Sequence, residues 1–342
     1  MNFSSENHDG THLRILKALI NSNNGFAASY GKDEYTIEAI ELFREVFGTK
    51  ELEPFFCFNG TGANNFALSS ISEKHNAILC SESSHLYTAE STAPETFTGC
   101  RLYPVKTVNG KILIEDFLLK VNTKNDVHLP PAAILTITQP TEYGTIYDLN
   151  ELNIISNHCK ENNILLHVDG ARLFNALAAM NCSLADFVKI CRPDALSLGG
   201  TKSGLMFGEA VVFFNNGRFR NLNYNHKRSM QLASKNRFIA AQFIELLKDG
   251  LWKEIATHTN NLAKYFEREL AKTGKAETAY PVETNMVFIK MGQTPFDQLK
   301  TSVRFYRWDI QREEVRFAFS FSNTIGDINS FFKEYKKVMN HD

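Results

Sequence analysis

Apolar residues along the chain recur first at helical spacing. Ile15, Leu16, Leu19 and Ile20 fall on one face at three- and four-residue intervals, which predicts a helix opened by Thr11 and closed by Asn24-Gly25. Ile37, Ile40, Phe43 and Phe47 repeat the pattern, with Gly48 where a left-handed C-cap falls. Short apolar runs then take over. Phe55–Phe58 reads as a buried strand, followed by the turn Gly60-Thr61-Gly62 and a helix through Phe66, Ala67 and Leu68. Further strands are predicted at Ala77–Cys80, Ile134–Thr138, Ile164–Val168, Ala195–Leu198 and Ala210–Phe214, with helical segments at Leu149–Asn162 and Leu173–Met180. This alternation implies an α/β fold with a mainly parallel sheet covered by helices.

Beyond Arg220 the pattern predicts two long helices, Met230–Leu247 and Leu251–Thr273. Strand-like Met286–Ile289 and Val315–Phe319 follow, then a closing helix at Ile328–Val338, together a smaller α+β unit. With no Pro-rich or Ser-rich linker and no internal repeat, the division is expected inside the helical stretch near residue 250. That gives an N-terminal arm and helix over 1–25, a large domain over 26–250 and a small one over 251–342.

Composition narrows the function classes. A chain of 342 residues with 43% hydrophobic and 22% charged residues has the make-up of a folded globular protein of about two domains. Lys and Arg total 37 against 38 for Asp and Glu, so no electrostatic bias points to nucleic acid. Apolar runs such as Ile134–Ile137 and Val211–Phe214 fall far short of the roughly 20 residues a membrane helix needs. The polar, acidic start MNFSSENHDG lacks the basic and apolar stretches of a secretory signal, so a cytoplasmic location is expected. Cys57, Cys80, Cys100, Cys159, Cys182 and Cys191 are widely spaced without a C-x-x-C pair. They read as small buried apolar residues in a reducing compartment, and no ligand cluster predicts a metal.

Three segments carry candidate chemistry. His167-Val168-Asp169-Gly170-Ala171-Arg172 ends a strand with an acid, and ligands of parallel α/β sheets bind at such strand ends. Taken alone, Asp169 reads first as the cap of the next helix, the commoner role for an Asp there. Ser197-Leu198-Gly199-Gly200-Thr201-Lys202-Ser203-Gly204 sets one Lys among glycines at another strand end. Small neighbours there would admit a cofactor ring, and a partly desolvated Lys becomes a nucleophilic amine, although most loop lysines are simply solvated. Asn59-Gly60-Thr61-Gly62-Ala63-Asn64 opens a helix whose free N–H groups favour an anion such as phosphate, without being a P-loop. A phosphate cradle, an acid for a pyridinium nitrogen and, 33 positions beyond that acid, a Schiff-base lysine make the logic of pyridoxal phosphate.

With these residues in place the chain resembles fold type I pyridoxal phosphate enzymes, and within them the low-specificity L-threonine aldolases of the aromatic amino acid β-eliminating lyase group. The resemblance runs through Tyr30-Gly31-Lys32-Asp33, Asn59-Gly60-Thr61, Glu82-Ser83-Ser84-His85, Thr141-Glu142-Tyr143-Gly144-Thr145, Asp169-Gly170-Ala171-Arg172-Leu173-Phe174, Lys202, Ser234-Lys235-x-Arg237-Phe238 and Val315-Arg316. It implies a mainly parallel seven-stranded sheet with a smaller C-terminal α+β domain. It also implies Lys202 as the Schiff-base lysine, Asp169 against the pyridine nitrogen and the amides of Gly60 and Thr61 at the phosphate. His85 would lie over the cofactor ring and reach the substrate hydroxyl, and His128, in Asp126-Val127-His128, resembles a second active-site histidine. Arg316 would grip the substrate carboxylate, with Arg172 fixing carboxylate and cofactor. Ser5 corresponds to a serine near that carboxylate, with Glu6 where the family carries Asp. Lys227 and Arg228 resemble basic residues lent to a neighbour's phosphate site, and Tyr30 would cross the same interface, so a homo-oligomer, dimer or homotetramer, with shared active sites is implied.

The implied reaction is retro-aldol cleavage of L-threonine, L-allo-threonine or a phenylserine-type amino acid to glycine and an aldehyde. Alternatives within the cofactor class are a β-eliminating lyase or an aminotransferase. A nicotinamide enzyme is disfavoured because Gly60-x-Gly62 lacks the third glycine of the dinucleotide fingerprint. A catalytically silent relative is disfavoured because Lys202, Asp169 and the phosphate loop are all present.

Overall fold

The computed structural model describes residues 1–122, 126–214 and 217–339. The strands, in chain order, are β1 (Leu52–Cys57), β2 (Ala77–Ser81), β3 (Arg101–Val105), β4 (Thr107–Val108), β5 (Lys111–Ile112), β6 (Ala132–Thr138), β7 (Leu165–Gly170), β8 (Ala195–Gly199), β9 (Glu209–Phe214), β10 (Met286–Lys290), β11 (Tyr306–Asp309) and β12 (Glu314–Ala318). A seven-stranded sheet runs in the order β1-β9-β8-β7-β6-β2-β3, and a three-stranded sheet in the order β10-β12-β11. The large sheet is parallel from β3 across to β8, and β9 runs antiparallel to both of its neighbours, β8 and β1. The expected mainly parallel sheet with a smaller C-terminal sheet is therefore what forms.

Its strands are buried on both faces, which is why they read as continuous apolar runs instead of alternating ones. Successive residues still point opposite ways. Phe56 and Val212 pack into one apolar cluster with Phe43, Phe187 and Phe243, whereas Phe55 and Val211 pack on the other face with Phe66 and Leu68. A separate cluster unites Phe266, Phe317, Phe331 and Tyr335 with Phe3, which the first residues of the chain bring across. Phe3 N–H donates to the Arg304 carbonyl and its own carbonyl accepts from Ala318 N–H, so the N-terminus lies along the small sheet.

Local chemistry shifts several predicted ends. The first helix, Leu13–Ser22, is capped by His12, whose Nδ1 accepts from Arg14 N–H at 3.3 Å, and not by Thr11. Helix Glu34–Val46 is capped by Asp33, and Ile37 of its predicted stripe is 55% exposed. Phe58 leaves the strand because its N–H donates to Gln231 Oε1 at 2.9 Å instead of to a sheet partner. The helix predicted from Met230 begins at Arg237, since Met230 holds a left-handed φ of 62° and a short helix, Leu222–Arg228, precedes it. Asp249 and Gly250, at φ 54° and 72°, break the chain between helices Arg237–Leu247 and Leu251–Ala271. All six cysteines are free and buried, and burial pushes the Cys80 thiol up to about 12. No helix among the described residues is by itself long and apolar enough to cross a membrane.

Candidate active site

Asp169 stands near the C-terminal end of β7, in register with Thr138 of β6 and Ser197 of β8. It does not cap the next helix, whose N-cap is Arg172 without a side-chain bond. Instead its Oδ1 accepts from Ala171 N–H at 3.0 Å and its Oδ2 from Asn64 Nδ2 at 3.0 Å, in a pocket that leaves the residue 5% exposed. Two residues earlier on the same strand, His167 is fully buried with Nε2 3.0 Å from Ser197 Oγ, and burial pushes its pKa down, favouring the neutral ring.

Lys202 follows the end of β8 in a single turn, Thr201–Ser203. Burial, and then the charge of Arg172, lower its pKa, while Glu6, Glu142 and Asp169 work the other way. The lysine is thus drawn towards the neutral amine that a nucleophile requires, unlike an ordinary solvated loop lysine. The neighbouring glycines also serve packing. A Cβ on Gly199 would collide with the backbone of Ala171, and one on Gly200 would meet the Gly208 carbonyl oxygen at 2.5 Å. They let neighbouring backbone approach closely. Glu209, opposite Gly199 in β9, accepts from Gly200 N–H at 2.7 Å, and burial raises its pKa to about 7.

Arg172 and Glu6 form a buried side-on pair, Nε to Oε1 at 2.6 Å and Nη2 to Oε2 at 2.8 Å, and Asn285 Nδ2 donates to Oε1 at 2.7 Å. Burial alone would raise the Glu6 pKa; the charge and hydrogen bonds of Arg172 outweigh it and hold the carboxyl at about 2. Half of the Arg172 fork is therefore committed to Glu6. Arg316, on β12, donates from Nη2 to the Ser4 carbonyl at 3.0 Å, and its guanidinium carbon lies near the rings of both Tyr306 and Trp308, 5.2 and 5.1 Å from their centroids. Its Nε is buried without a partner, and burial and the nearby Arg172 lower its pKa, the signature of a cation awaiting an anion.

His85 opens the helix His85–Thr88 behind the cap Ser84, with Nδ1 3.0 Å from Glu90 Oε1 and its backbone N–H donating to Glu142 Oε1 at 3.3 Å. Asn59 caps helix Gly60–Ile71 by accepting from Gly62 N–H at 2.8 Å, and the position of a Cβ on Gly60 is open space. Gly62, by contrast, is covered by the Gln231 side chain. Lys227 and Arg228 end the helix Leu222–Arg228, and Lys227 Nζ sits 4.9 Å over the Tyr30 ring. Ser5 caps the turn Glu6–His8 by accepting from Asn7 N–H at 3.2 Å.

Of the residues singled out from the sequence, the fold thus gathers Asp169, Arg172, Lys202, His85 and Arg316 into one electrostatic neighbourhood. His128 is not drawn in; it lies exposed, its N–H donating to Asp126 Oδ1 at 2.9 Å. Glu90, Asn64 and Glu142 belong to the neighbourhood and were not singled out. Glu142 was readable within the quoted Thr141–Thr145 motif, whereas Glu90 has no local pattern to mark it. The donor set fits an anionic aromatic cofactor. Open N–H groups at Gly60 and Thr61 could hold a phosphate, Asp169 a ring N–H, and Thr138 Oγ1, buried without a partner beside Asp169, has bonding capacity to spare. No group of three or more metal-ligating side chains occurs among the described residues.

The beta-eliminating lyase family matches residues 10–294. A low-specificity L-threonine aldolase of a Pseudomonas species is 38% identical over 92% of this chain and 94% of its own. That of Pseudomonas aeruginosa is 36% identical over 98% and 97%. The solved structure of Leishmania major threonine aldolase superposes with a TM-score of 0.93 at 27% identity, covering 98% of this chain and 99% of that one.

Proposed function

The chain belongs to the beta-eliminating lyase family, and from that premise we propose that it is a pyridoxal phosphate-dependent threonine aldolase. The substrate is L-threonine or L-allo-threonine, with phenylserine-type 3-hydroxy amino acids as further candidates, and the products are glycine and the aldehyde. The observation that carries the reading is the convergence of Asp169, Lys202 and His85 at the C-terminal ends of the sheet strands, in a chain that matches threonine aldolases along nearly its whole length.

When bound, pyridoxal phosphate supplies the electron sink for the Cα–Cβ bonding pair. Gly60 and Thr61 hold its phosphate through backbone N–H groups, and Asp169 holds a proton on the pyridine nitrogen. Lys202 supplies the amine, which burial keeps nucleophilic. Arg316 grips the substrate carboxylate, with Ser5 beside it, and the free side of Arg172 adds a further donor. His85, or a water it positions, takes the β-hydroxyl proton as the Cα–Cβ bond breaks, and glycine leaves after Cα is reprotonated.

We further propose a homo-oligomer in which Tyr30, Lys227 and Arg228 serve a neighbouring copy's site. What supports it is the exposure of Leu13, Ile20, Phe26, Ile37 and Met230, apolar side chains that a second copy would cover.

The test is to load the purified protein with pyridoxal phosphate, add L-threonine and follow acetaldehyde and glycine. Stoichiometric release of both is the expected result. Release of ammonia and a keto acid without acetaldehyde would replace the aldolase with an eliminating lyase.

A further inference from the structure

One buried carboxylate stands behind His85, and the role assigned to it deepens the aldolase reading and rests on it. Glu90 lies just beyond the helix His85–Thr88, its side chain 0% exposed while the His85 side chain is 44% exposed. Its Oε1 is 3.0 Å from His85 Nδ1 and accepts from Asn64 Nδ2 at 3.0 Å. The same Asn64 nitrogen donates to Asp169 Oδ2 at 3.0 Å. A primary amide carries two N–H hydrogens, so Asn64 gives one to each carboxylate. The side chains of His85, Glu90, Asn64 and Asp169, drawn from three segments of the chain, form one continuous series of hydrogen bonds from the candidate base to the acid that would face a cofactor nitrogen.

An ionised carboxylate only accepts hydrogen bonds, so beside Glu90 the proton of neutral His85 sits on Nδ1 and Nε2 is left basic. Glu90 Oε2 is buried with no partner at all. A carboxylate placed there only for stability would be better replaced by an apolar group of the same shape, which points to a role in the chemistry. We propose that Glu90 is a positioning residue that fixes the Nδ1–H tautomer of His85 and aims Nε2 at the substrate hydroxyl, with Asn64 tying it to Asp169. The charged groups facing His85 are Glu90, Glu142 and Asp169. All three favour the protonated ring, the Glu90 hydrogen bond most, and burial opposes them.

The test uses the full chain loaded with pyridoxal phosphate and with ¹⁵N-labelled histidine, the His85 signals being assigned by their loss in His85→Gln. In the unaltered chain the neutral His85 ring shows the Nδ1–H tautomer. In Glu90→Gln its pKa falls, as expected when the main partner of the charged form is removed. The acid limb of the kcat profile moves down by the same amount, and kcat at its plateau falls about ten- to hundredfold with KM little changed. A predominant Nε2–H tautomer in the unaltered chain, measured without any variant, overturns the assignment. So does a His85 titration that Glu90→Gln leaves where it was. Should the tautomer and its shift appear in a chain that releases no aldehyde from threonine, the Glu90 assignment stands and the aldolase reading falls.

Discussion

Arg172 meets Glu6 side-on, through two hydrogen bonds of 2.6 and 2.8 Å between residues 166 positions apart. The pair joins the start of the chain to the helix that follows β7, while Phe3, three residues earlier, is locked into the core of the small sheet. Asp9 adds a further tie, accepting from Ser320 Oγ and, at 3.2 Å, from Ser322 N–H. The first residues are therefore a strap across the site, fastened by a complete bidentate fork between Glu6 and Arg172.

Breaking that pair should destabilise the protein. Glu6→Ala leaves the buried Arg172 guanidinium uncompensated, a loss of about 3–5 kcal/mol for a buried pair broken on one side. Urea unfolding of the variant against the unaltered chain measures it. A change below about 1 kcal/mol would mean that water reaches Arg172 and the strap carries little.

The same pair sets an acid sensitivity. The Glu6 carboxyl is held at about 2 in the fold against an ordinary 4.5, so its stabilisation is complete above the unfolded value and is lost as pH falls from about 4.5 to 2. A difference of that size corresponds to about 3 kcal/mol. Stability measured between pH 6 and pH 3 should decline less steeply in Glu6→Gln than in the unaltered chain.

Lys202→Ala should lower threonine cleavage at least about a thousandfold, because the displaced amine has no substitute in the site. The variant should also lack the visible band of a lysine-linked cofactor. Appreciable turnover would refute the assignment of Lys202.

Arg316→Lys should raise KM for threonine about ten- to hundredfold with a smaller effect on kcat. Lysine keeps the charge and loses the planar fork, along with its contacts to the Tyr306 and Trp308 rings. Steady-state kinetics separate the two parameters, and an unchanged KM would put the carboxylate elsewhere.

Gly199→Ala should lower the melting temperature, since a Cβ there strikes the Ala171 backbone and β7 and β8 cannot move apart without opening the core. Overpacking of this kind costs about 1–3 kcal/mol. Gly60→Ala, with open space at its Cβ, should leave stability nearly unchanged and weaken only cofactor binding. Thermal melts of the two variants distinguish a packing glycine from a cradle glycine.

Much of this architecture was legible in the chain because its signals are local. Helix Leu173–Met180 occupies the predicted residues, and six of the strands of the large sheet fall within three residues of their apolar runs. β3 is hidden because Arg101 and Pro104 interrupt its apolar pattern, and β11 because its side chains are exposed or half-buried. Asp169 and Lys202 were recognisable because a strand end and a Gly-rich turn are written in adjacent letters. The sequence by itself thus determined the elements, the order of chemical groups along them and the family they resemble.

Only the tertiary structure decided which groups meet. Asn64 reaches Glu90 and Asp169 across 26 and 105 positions, and Glu6 reaches Arg172 and Asn285 across 166 and 279. It also decided that Gly199 serves packing, that Asp169 faces Asn64 instead of capping a helix, and that β9 runs against its neighbours. The physical reason is that a hydrophobic period records only which side of an element is buried. Which buried polar group satisfies which depends on sheet register and on the burial that makes an unpaired charge costly, and neither is a property of any short stretch of chain.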